Sequence, residues 1–590
     1  MNRLATEKPM APAAEVGQIV NVAARLAAMA KTRPDSLAVV APRGRGYESI
    51  TFKELDQYSD RAARGLRKLG VVPGTRMALL VKPGIEFVAL VFALFKAGAV
   101  AILIDPGMGR RSLVDCLDEA RPEGFVAIPM AHLVRKLLRS RFREARIHVV
   151  VARHWLGREP TLTSLVRRPW SGGELAATRA GDPAAIIFTS GSTGPPKGVL
   201  YSHGNFDRQV DEIRDYYQIA PGEVDLACFP LFGLFNCAMG VTTVIPDMDA
   251  SRPARVDPAR IVSAVRDWKV TQSFGSPAVW DRVGQHCAKH DVRMPSLGRV
   301  MSAGAPVTAR VLAGIKGCIA PGGEVHTPYG ATEALPVASI SASEVLNKTA
   351  ALTARGAGVC VGRRFPGIEW KVIEAVEGPL AADGTRSVPA TVADGTSGRA
   401  ARLSSPKSGM PATLGVRELP AGSIGELIVR GPVVTNRYVT RVEANALAKI
   451  GDGPEFWHRM GDVGYLDEQG RFWYCGRLSQ RVLSAAGPMY TECCEAIFNN
   501  HPAVFRSALV GIGPLGSQRP VMICEPWPGK FPRRAARRQL LDELRSIGSD
   551  NPLTSSIDDY LLHRSFPVDV RHNAKIFREK LARWAARQLS

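Results

Sequence analysis

Ile186-Ile187-Phe188-Thr189-Ser190-Gly191-Ser192-Thr193-Gly194-Pro195-Pro196-Lys197-Gly198-Val199 joins an apolar run, Ala184 to Phe188, to a dense patch of hydroxyls and glycines. Glycines let main-chain N–H groups come close to a phosphate and adopt turns that other residues resist. Thr189, Ser190, Ser192 and Thr193 add hydroxyl donors, and Lys197 adds a compact positive charge. A polar hairpin loop is the plain alternative. The length, the hydroxyl density and the lysine favour a phosphate loop. The common Gly-x-x-x-x-Gly-Lys-Ser/Thr pattern is absent: its second glycine falls on Pro196, and Lys197 is followed by Gly198. Pro195 and Pro196 disfavour a helix starting on this lysine, so a loop that covers a nucleotide fits better.

Strands and helices alternate outward from this loop. Before it come a helix at Val22–Ala30, strands at Leu37–Ala41 and Glu48–Phe52, and a helix at Lys53–Leu69 capped by Thr51. Further strands are expected at Met77–Val81, Phe125–Ile128 and Ile147–Val151. Phe87 to Ile104 is nearly long enough to span a membrane. Lys96, Gly98 and Asp105-Pro106 interrupt it, giving a buried helix Phe87–Lys96 and a buried strand Ala99–Ile104. After the loop, a helix is expected at His203–Tyr217, a strand at Asp225–Phe229, a helix over 257–268, and strands at Gln272–Phe274, Val300–Ser302 and Glu324–Thr327. This is the pattern of doubly wound α/β sheets. From Glu374 to about Ala421 the composition shifts to small and polar residues, which reads as a flexible insertion. Strand Gly425–Arg430, a turn at Arg459–Tyr465 and strand Arg471–Cys475 follow. The rest reads as a smaller α+β unit, with a helix from Thr491, strands at Ser507–Ile512 and Pro520–Glu525, helices at Ala535–Ser546 and Ser556–Leu562, and a basic C-terminal helix.

A chain of 590 residues exceeds one core, so at least two domains are expected. The division is a leader over 1–16, a large domain over 17–475 holding the 374–421 insertion, and a small domain over 476–590. The formal net charge of +21 is mostly arginine, with runs at Arg135–Arg146 and Arg533–Arg538. Such runs are solvated helix faces, or they meet an anionic membrane or an acidic partner. No nucleic-acid motif accompanies them, so nucleic acid is not an expected partner. The ten cysteines form no Cys-x-x-Cys pair and read as reduced structural thiols. The first residues lack the apolar core of a signal peptide, so a cytoplasmic protein is expected.

The loop resembles, nearly residue for residue, the signature of the adenylate-forming superfamily of acyl-CoA synthetases, firefly luciferase and peptide-synthetase adenylation domains. Several ordered motifs extend the resemblance over almost the whole chain from about Val20. It implies a large N-terminal α/β domain with a smaller α+β domain acting as a lid. It implies ATP as substrate and Mg²⁺ as cofactor. Ser302-Ala303-Gly304-Ala305-Pro306 is similar to the adenine loop. Tyr329-Gly330-Ala331-Thr332-Glu333 is similar to the second signature, where Tyr329 faces adenine, Thr332 meets a phosphate, and Glu333 is the Mg²⁺ ligand. Arg459-Met460-Gly461-Asp462-Val463-Gly464 resembles the ribose motif, with Asp462 on the ribose hydroxyls and Arg477 as a second ribose or phosphate contact. Phe566 to Arg578 aligns with the last motif, which puts Lys575 where the adenylation lysine stands. The ATP-binding set is then Thr189, Ser190, Gly191, Ser192, Thr193, Gly194, Lys197, Gly304, Ala305, Pro306, Tyr329, Gly330, Asp462 and Arg477. The catalytic set is Lys575, Glu333 and Thr332.

Three departures bear on the acceptor. Pro230-Leu231-Phe232-Gly233 lacks the family's usual histidine at Gly233. The hinge reads Gly476-Arg477-Leu478-Ser479 in place of Gly-Arg-x-Asp. The basic residues that normally follow are replaced in Val482-Leu483-Ser484-Ala485-Ala486-Gly487. Together with Val244 to Asp249, Gly487 to Glu492 and Arg571 to Ile576, these features resemble the β-lactone synthetases of bacterial olefin biosynthesis. That subgroup implies activation of a long-chain 2-alkyl-3-hydroxy acid as acyl-AMP, then attack by the acid's own 3-hydroxyl, so that AMP and diphosphate leave. It also implies other enzymes of an olefin-synthesis assembly as partners, and the charge allows peripheral membrane association. A long-chain fatty acyl-CoA or acyl-AMP ligase stays open as an alternative, as does an inactive scaffold in a lipid-synthesis assembly. His203, His326 and His572 are candidates for the base of the lactone step by nearness to motifs.

Overall fold

The computed structural model describes residues 19–44, 46–152, 154–167, 172–189, 194–380, 416–451, 455–568 and 575–590. The expected leader over 1–16 and the middle of the expected insertion, 381–415, lie outside these residues.

The apolar run that could have been mistaken for a membrane span becomes helix Ile85–Ala97 and strand Val100–Leu103. Every side chain from Phe87 to Ala97 is buried, Lys96 included. Its ammonium is held by the carboxylates of Asp56 and Asp60, at 2.6 and 2.5 Å, and by the Asp56 carbonyl at 2.9 Å. A buried lysine is tolerated only with such pairing. Gly98 ends the helix in the left-handed region at φ 74°, where a Cβ would meet Ala176 at 2.9 Å. The acidic partners come from helix Phe52–Lys68, which Thr51 and Glu54 close with a reciprocal capping box. Among the described residues no helix is long and apolar enough to cross a membrane.

Two sheets build the large domain. The first runs in the order Ile147–Val150, Gly124–Ala127, Arg76–Leu80, Val100–Leu103, Pro183–Phe188, Gly198–Ser202. It is parallel except for the last pair, which is the hairpin around the 189–197 loop. The second sheet has a parallel stretch, Glu324–Ala331, Arg299–Ser302, Gln272–Gly275, Val224–Ala227, Thr242–Val244 and Leu37–Arg43. It continues through Ala334–Ser341 and Val359–Arg364 into antiparallel strands Phe472–Arg477, Trp457–Leu466, Gly425–Arg430 and Glu369–Ile373. The smaller domain packs helices Thr491–Asn499, Arg534–Ser549 and Arg578–Leu589 around strands Val504–Ile512, Arg519–Pro526 and Asp559–Leu562. The architecture is the expected α/β domain with a smaller α+β domain.

Four sequence expectations change. Arg459–Tyr465 is no turn: it lies inside the strand Trp457–Leu466. Its glycines suggested a turn, but Gly461, at φ 66°, sits where the pairing slips instead of where the chain reverses. Ser556–Leu562 is not helical. Asp559–Leu562 pairs in parallel with Arg519–Pro526, burying Tyr560 and Leu562 at a period of two. The expected domain boundary at 475/476 falls within a strand, because Gly476 and Arg477 still pair with Val463 and Asp462. The chain turns only at Leu478–Gln480. Finally, both flanks of the 374–421 stretch are packed. Leu380 and Val416 are buried in one cluster, and Ile373 bridges Glu418. All ten cysteines are buried and unbridged.

Candidate active site

Apolar strand Pro183–Phe188 delivers the glycine-rich loop to the C-terminal edge of its sheet, where ligands of open α/β sheets collect. The loop is pinched at its base: Thr189 N–H donates to the Lys197 carbonyl, and Lys197 N–H donates to Thr189 Oγ1, both at 3.0 Å. Ser190, Gly191, Ser192 and Thr193 lie outside the described residues. Gly194 has φ 150°. Segment 437–440 flanks the returning strand, with Thr440 Oγ1 accepting from Gly198 N–H at 2.7 Å.

Lys197 Nζ lies 4.9 Å from the centre of the Tyr438 ring. The Tyr438 hydroxyl donates to Glu333 Oε1 at 2.6 Å. Burial, then the Glu333 charge, raises the Tyr438 phenol far above its usual value, so it stays a donor. The Glu333 carbonyl accepts from Thr435 N–H and Thr435 Oγ1, at 2.8 and 3.0 Å. The neighbouring Thr332 carbonyl accepts from Tyr201 at 2.5 Å. Lys449 donates to the Thr435 carbonyl and packs 5.1 Å from the Phe456 ring. Burial lowers its pKa to about 7, against the pull of Glu333. Gly330 occupies a slip in the strand pairing, where a Cβ would meet the Ala334 carbonyl at 2.6 Å. Thr332 and Glu333 form the two-residue turn between strands Glu324–Ala331 and Ala334–Ser341, closed by the pairing of Ala331 with Ala334.

A second cluster lies one step along the same strand. Tyr329 donates to Asp462 Oδ2, while Arg477 donates to Asp462 Oδ1 at 2.7 Å and to the Met460 carbonyl at 2.9 Å. Asp462 and Arg477 face each other across paired strands. Each carboxylate oxygen has two lone pairs, so Asp462 keeps acceptor capacity for hydroxyls. Burial, then Asp462, holds the Tyr329 phenol well above its ordinary value. Gly304, at φ 93°, with Ala305 and Pro306, follows the adjacent strand Arg299–Ser302 at its C-terminal end. Lys575 belongs to the small domain, directly before Ile576, which bridges Val568 ahead of helix Arg578–Leu589. There Arg578 grips Glu495 through two contacts, at 2.5 and 3.0 Å.

The histidine candidates are elsewhere. His203 is buried at the far end of strand Gly198–Ser202 from Lys197, against Phe95. His326 packs edge-on against Tyr217 at 5.0 Å. Burial lowers both to about 4, so both are neutral. His572 lies outside the described residues. At Gly233, where the family often has histidine, a Cβ would meet Thr243 Cγ2 at 2.9 Å. The stretch after the hinge is a small hairpin, Val482–Ser484 with Gly487–Met489, and no charged side chain lies on it.

Beside Gly233 is an apolar cavity of about 40 Å³. Phe232, Phe235, Met239, Phe274 and Met301 line it, and Asp225 and Gln272, from paired strands, form a polar end. Asp225 Oδ2 accepts from Asn236 at 2.8 Å, but Asp225 Oδ1 and Gln272 Nε2 have no protein partner. Burial pushes the Asp225 carboxyl up to about 7. The folded protein keeps a proton there that the unfolded chain releases near pH 4, so stability falls from about pH 4 to about pH 7 and this contribution is flat above. Asp225→Asn keeps the Asn236 contact and removes that slope. Its gain over wild type at pH 8 is at most about 4 kcal/mol. Melting temperatures at pH 5.5 and pH 8 test this, and parallel pH slopes in both proteins would refute it.

A model of the family described as AMP-binding enzyme matches residues 26–386. The chain belongs to this family. This AMP-binding enzyme is 44% identical over 584 residues to an olefin beta-lactone synthetase of Xanthomonas campestris pv. campestris, a match covering 97% of this chain and 98% of the relative. It is also 44% identical over 585 residues to an olefin beta-lactone synthetase of Stenotrophomonas maltophilia, covering 96% and 98%. Among solved structures, ATP-bound MatB from Rhodopseudomonas palustris superimposes with a TM-score of 0.74 at 20% identity, covering 96% of this chain and 99% of that one. That likeness carries the fold.

Tyr438, Lys449, Thr435 and Tyr201 of this AMP-binding enzyme were not legible as site residues. Tyr438 meets a carboxylate 105 positions away, in a stretch with no chemical motif of its own. Only the fold brings them together.

Proposed function

We propose that the chain is an olefin β-lactone synthetase, converting a long-chain 2-alkyl-3-hydroxy acid and ATP into a β-lactone, AMP and diphosphate. The observation that carries this is the 44% identity, over 97% of the chain, to a protein of that name. The carboxylate oxygen attacks the α-phosphorus, the bond to diphosphate breaks, and an acyl-adenylate forms. The 3-hydroxyl oxygen then attacks the acyl carbon, the bond to AMP breaks, and the hydroxyl proton passes to a base. The intramolecular attack needs no second substrate, since held geometry replaces it.

Charge assigns the residues. Lys197 meets the β- and γ-phosphates, and Lys575 meets the α-phosphate and the carboxylate as they approach. Asp462 and Arg477 take the ribose, and Tyr329 with Gly304–Pro306 takes the adenine. Mg²⁺ fits Glu333, because one or two carboxylates beside substrate phosphates are its common protein ligands. Among the described residues no cluster of three or more potential metal ligands exists. When bound, Mg²⁺ neutralises phosphate charge as a Lewis acid. Tyr438 orients Glu333 for that role, and Lys449, its pKa lowered to about 7, carries only part of a positive charge beside it at neutral pH. The apolar cavity next to Gly233 suits an alkyl arm once its methionines and phenylalanines move, and methionine adapts readily.

The test is AMP release from a 2-alkyl-3-hydroxy acid with and without CoA. Steady release without CoA, unchanged on adding it, is expected. A strict CoA requirement would favour an acyl-CoA ligase, and no diphosphate release from any 3-hydroxy acid would favour a scaffold.

A further inference from the structure

Helix Pro129–Leu137 turns its apolar side outward. Met130, Leu133, Val134 and Leu137 are 64%, 52%, 39% and 76% exposed, and their spacing places them on one helix face. Only His132 of this helix is buried, with Nε2 3.0 Å from the Val149 carbonyl. A helix in a globular protein normally turns such a stripe to the core. Leu156 stands fully exposed beside it. Its loop is pinned to the helix through Glu159, which binds Lys136 at 2.6 Å and Trp155 Nε1 at 3.1 Å.

The surroundings are basic. Residues 129–159 contain eight Lys or Arg against two Glu. Arg139, Arg143, Arg146 and Arg158 are exposed and, among the described residues, make no ion pair. We propose that this apolar helix face with its arginine rim is a docking surface for an anionic lipid bilayer. Exposed apolar stripes framed by Lys and Arg lie in the interface, with the apolar face in the acyl boundary and the cations at the head groups. A second copy of the chain is disfavoured as occupant, because an isologous contact would bring two arginine rims together. Strand Gly124–Ala127, which leads into this helix, runs parallel to the sheet that ends in the glycine-rich loop, so the helix starts on the same sheet edge as the site. This surface goes beyond the proposed reaction and is measured without turnover.

Full-length protein is sedimented with vesicles of pure phosphatidylcholine and of phosphatidylcholine with phosphatidylglycerol. Binding to the anionic vesicles at least tenfold stronger than to the neutral ones is expected, falling between low and high salt. Leu133→Asp/Leu137→Asp lowers vesicle binding at least tenfold, with the melting temperature and AMP release from a dispersed short-chain hydroxy acid unchanged. Arg139→Glu/Arg143→Glu, a second variant, lowers anionic-vesicle binding alone. Equal vesicle binding by wild type and the leucine variant overturns the proposal. So does a leucine variant that changes only the oligomeric state in gel filtration, or binding by wild type only to an acidic protein.

Discussion

Lys575→Ala slows diphosphate release from ATP and a 3-hydroxy acid by about 10²–10³-fold, the usual loss when one preorganised charge is removed from a developing anion. Two negatively charged groups must meet in adenylation, the substrate carboxylate and the α-phosphate, and a single lysine between them lowers that cost. Lactone closure starts from a neutral acyl group whose nucleophile is already tethered. The same variant therefore cyclises a synthetic 3-hydroxyacyl-adenylate at close to the wild-type rate. Single-turnover assays of the two half-reactions measure this directly. Equal collapse of both would show that Lys575 does not serve adenylation alone. Substituting Ser484 or Ala485, on the short hairpin after Gln480, changes neither half-reaction strongly, because that hairpin carries no charge to lose.

Glu333→Gln lowers kcat/KM for ATP by about 10²-fold and raises the Mg²⁺ concentration needed for half-maximal rate. The amide keeps a carbonyl oxygen for the Tyr438 hydroxyl, and the main-chain bonds from Thr435 to residue 333 do not involve the side chain. Folding is thus preserved, and the lost negative charge is the change that matters. Tyr438→Phe leaves the carboxylate charged but unoriented, which predicts a smaller loss, about tenfold, confined to the Mg²⁺ and ATP dependence. Unchanged ATP kinetics in Glu333→Gln would remove this residue from the metal role.

Local patterns carried most of the fold. The helix at His203–Tyr217 and the strand at Gly425–Arg430 have the bounds expected from sequence, because capping and apolar runs act over a few residues. The strand Trp457–Leu466 was hidden by its glycines, which mark a slip in pairing that only the neighbouring strands reveal. The strand Asp559–Leu562 was hidden for a similar reason: its partner, Arg519–Pro526, lies some forty positions earlier. At the site, motif residues were legible because their spacing is local. Asp462 and Arg477 stood out as separate motifs, and the sheet joins them to Tyr329 in one hydrogen-bonded chain. Tyr438 and Lys449 were silent, since a lone tyrosine and lysine say nothing until the fold sets them beside Glu333. In the sequence the buried acid Asp225 is only one residue of a strand, and its orphaned oxygen is a property of packing.

Mass spectrometry of the products formed from ATP, Mg²⁺ and a long-chain 2-alkyl-3-hydroxy acid in the absence of CoA tests β-lactone formation most directly. The predicted product has the mass of the acid less one water and keeps its alkyl arms, with one AMP and one diphosphate formed for each lactone. Free acid recovered unchanged, or a product that forms only with CoA and carries its mass as a thioester, would contradict the account.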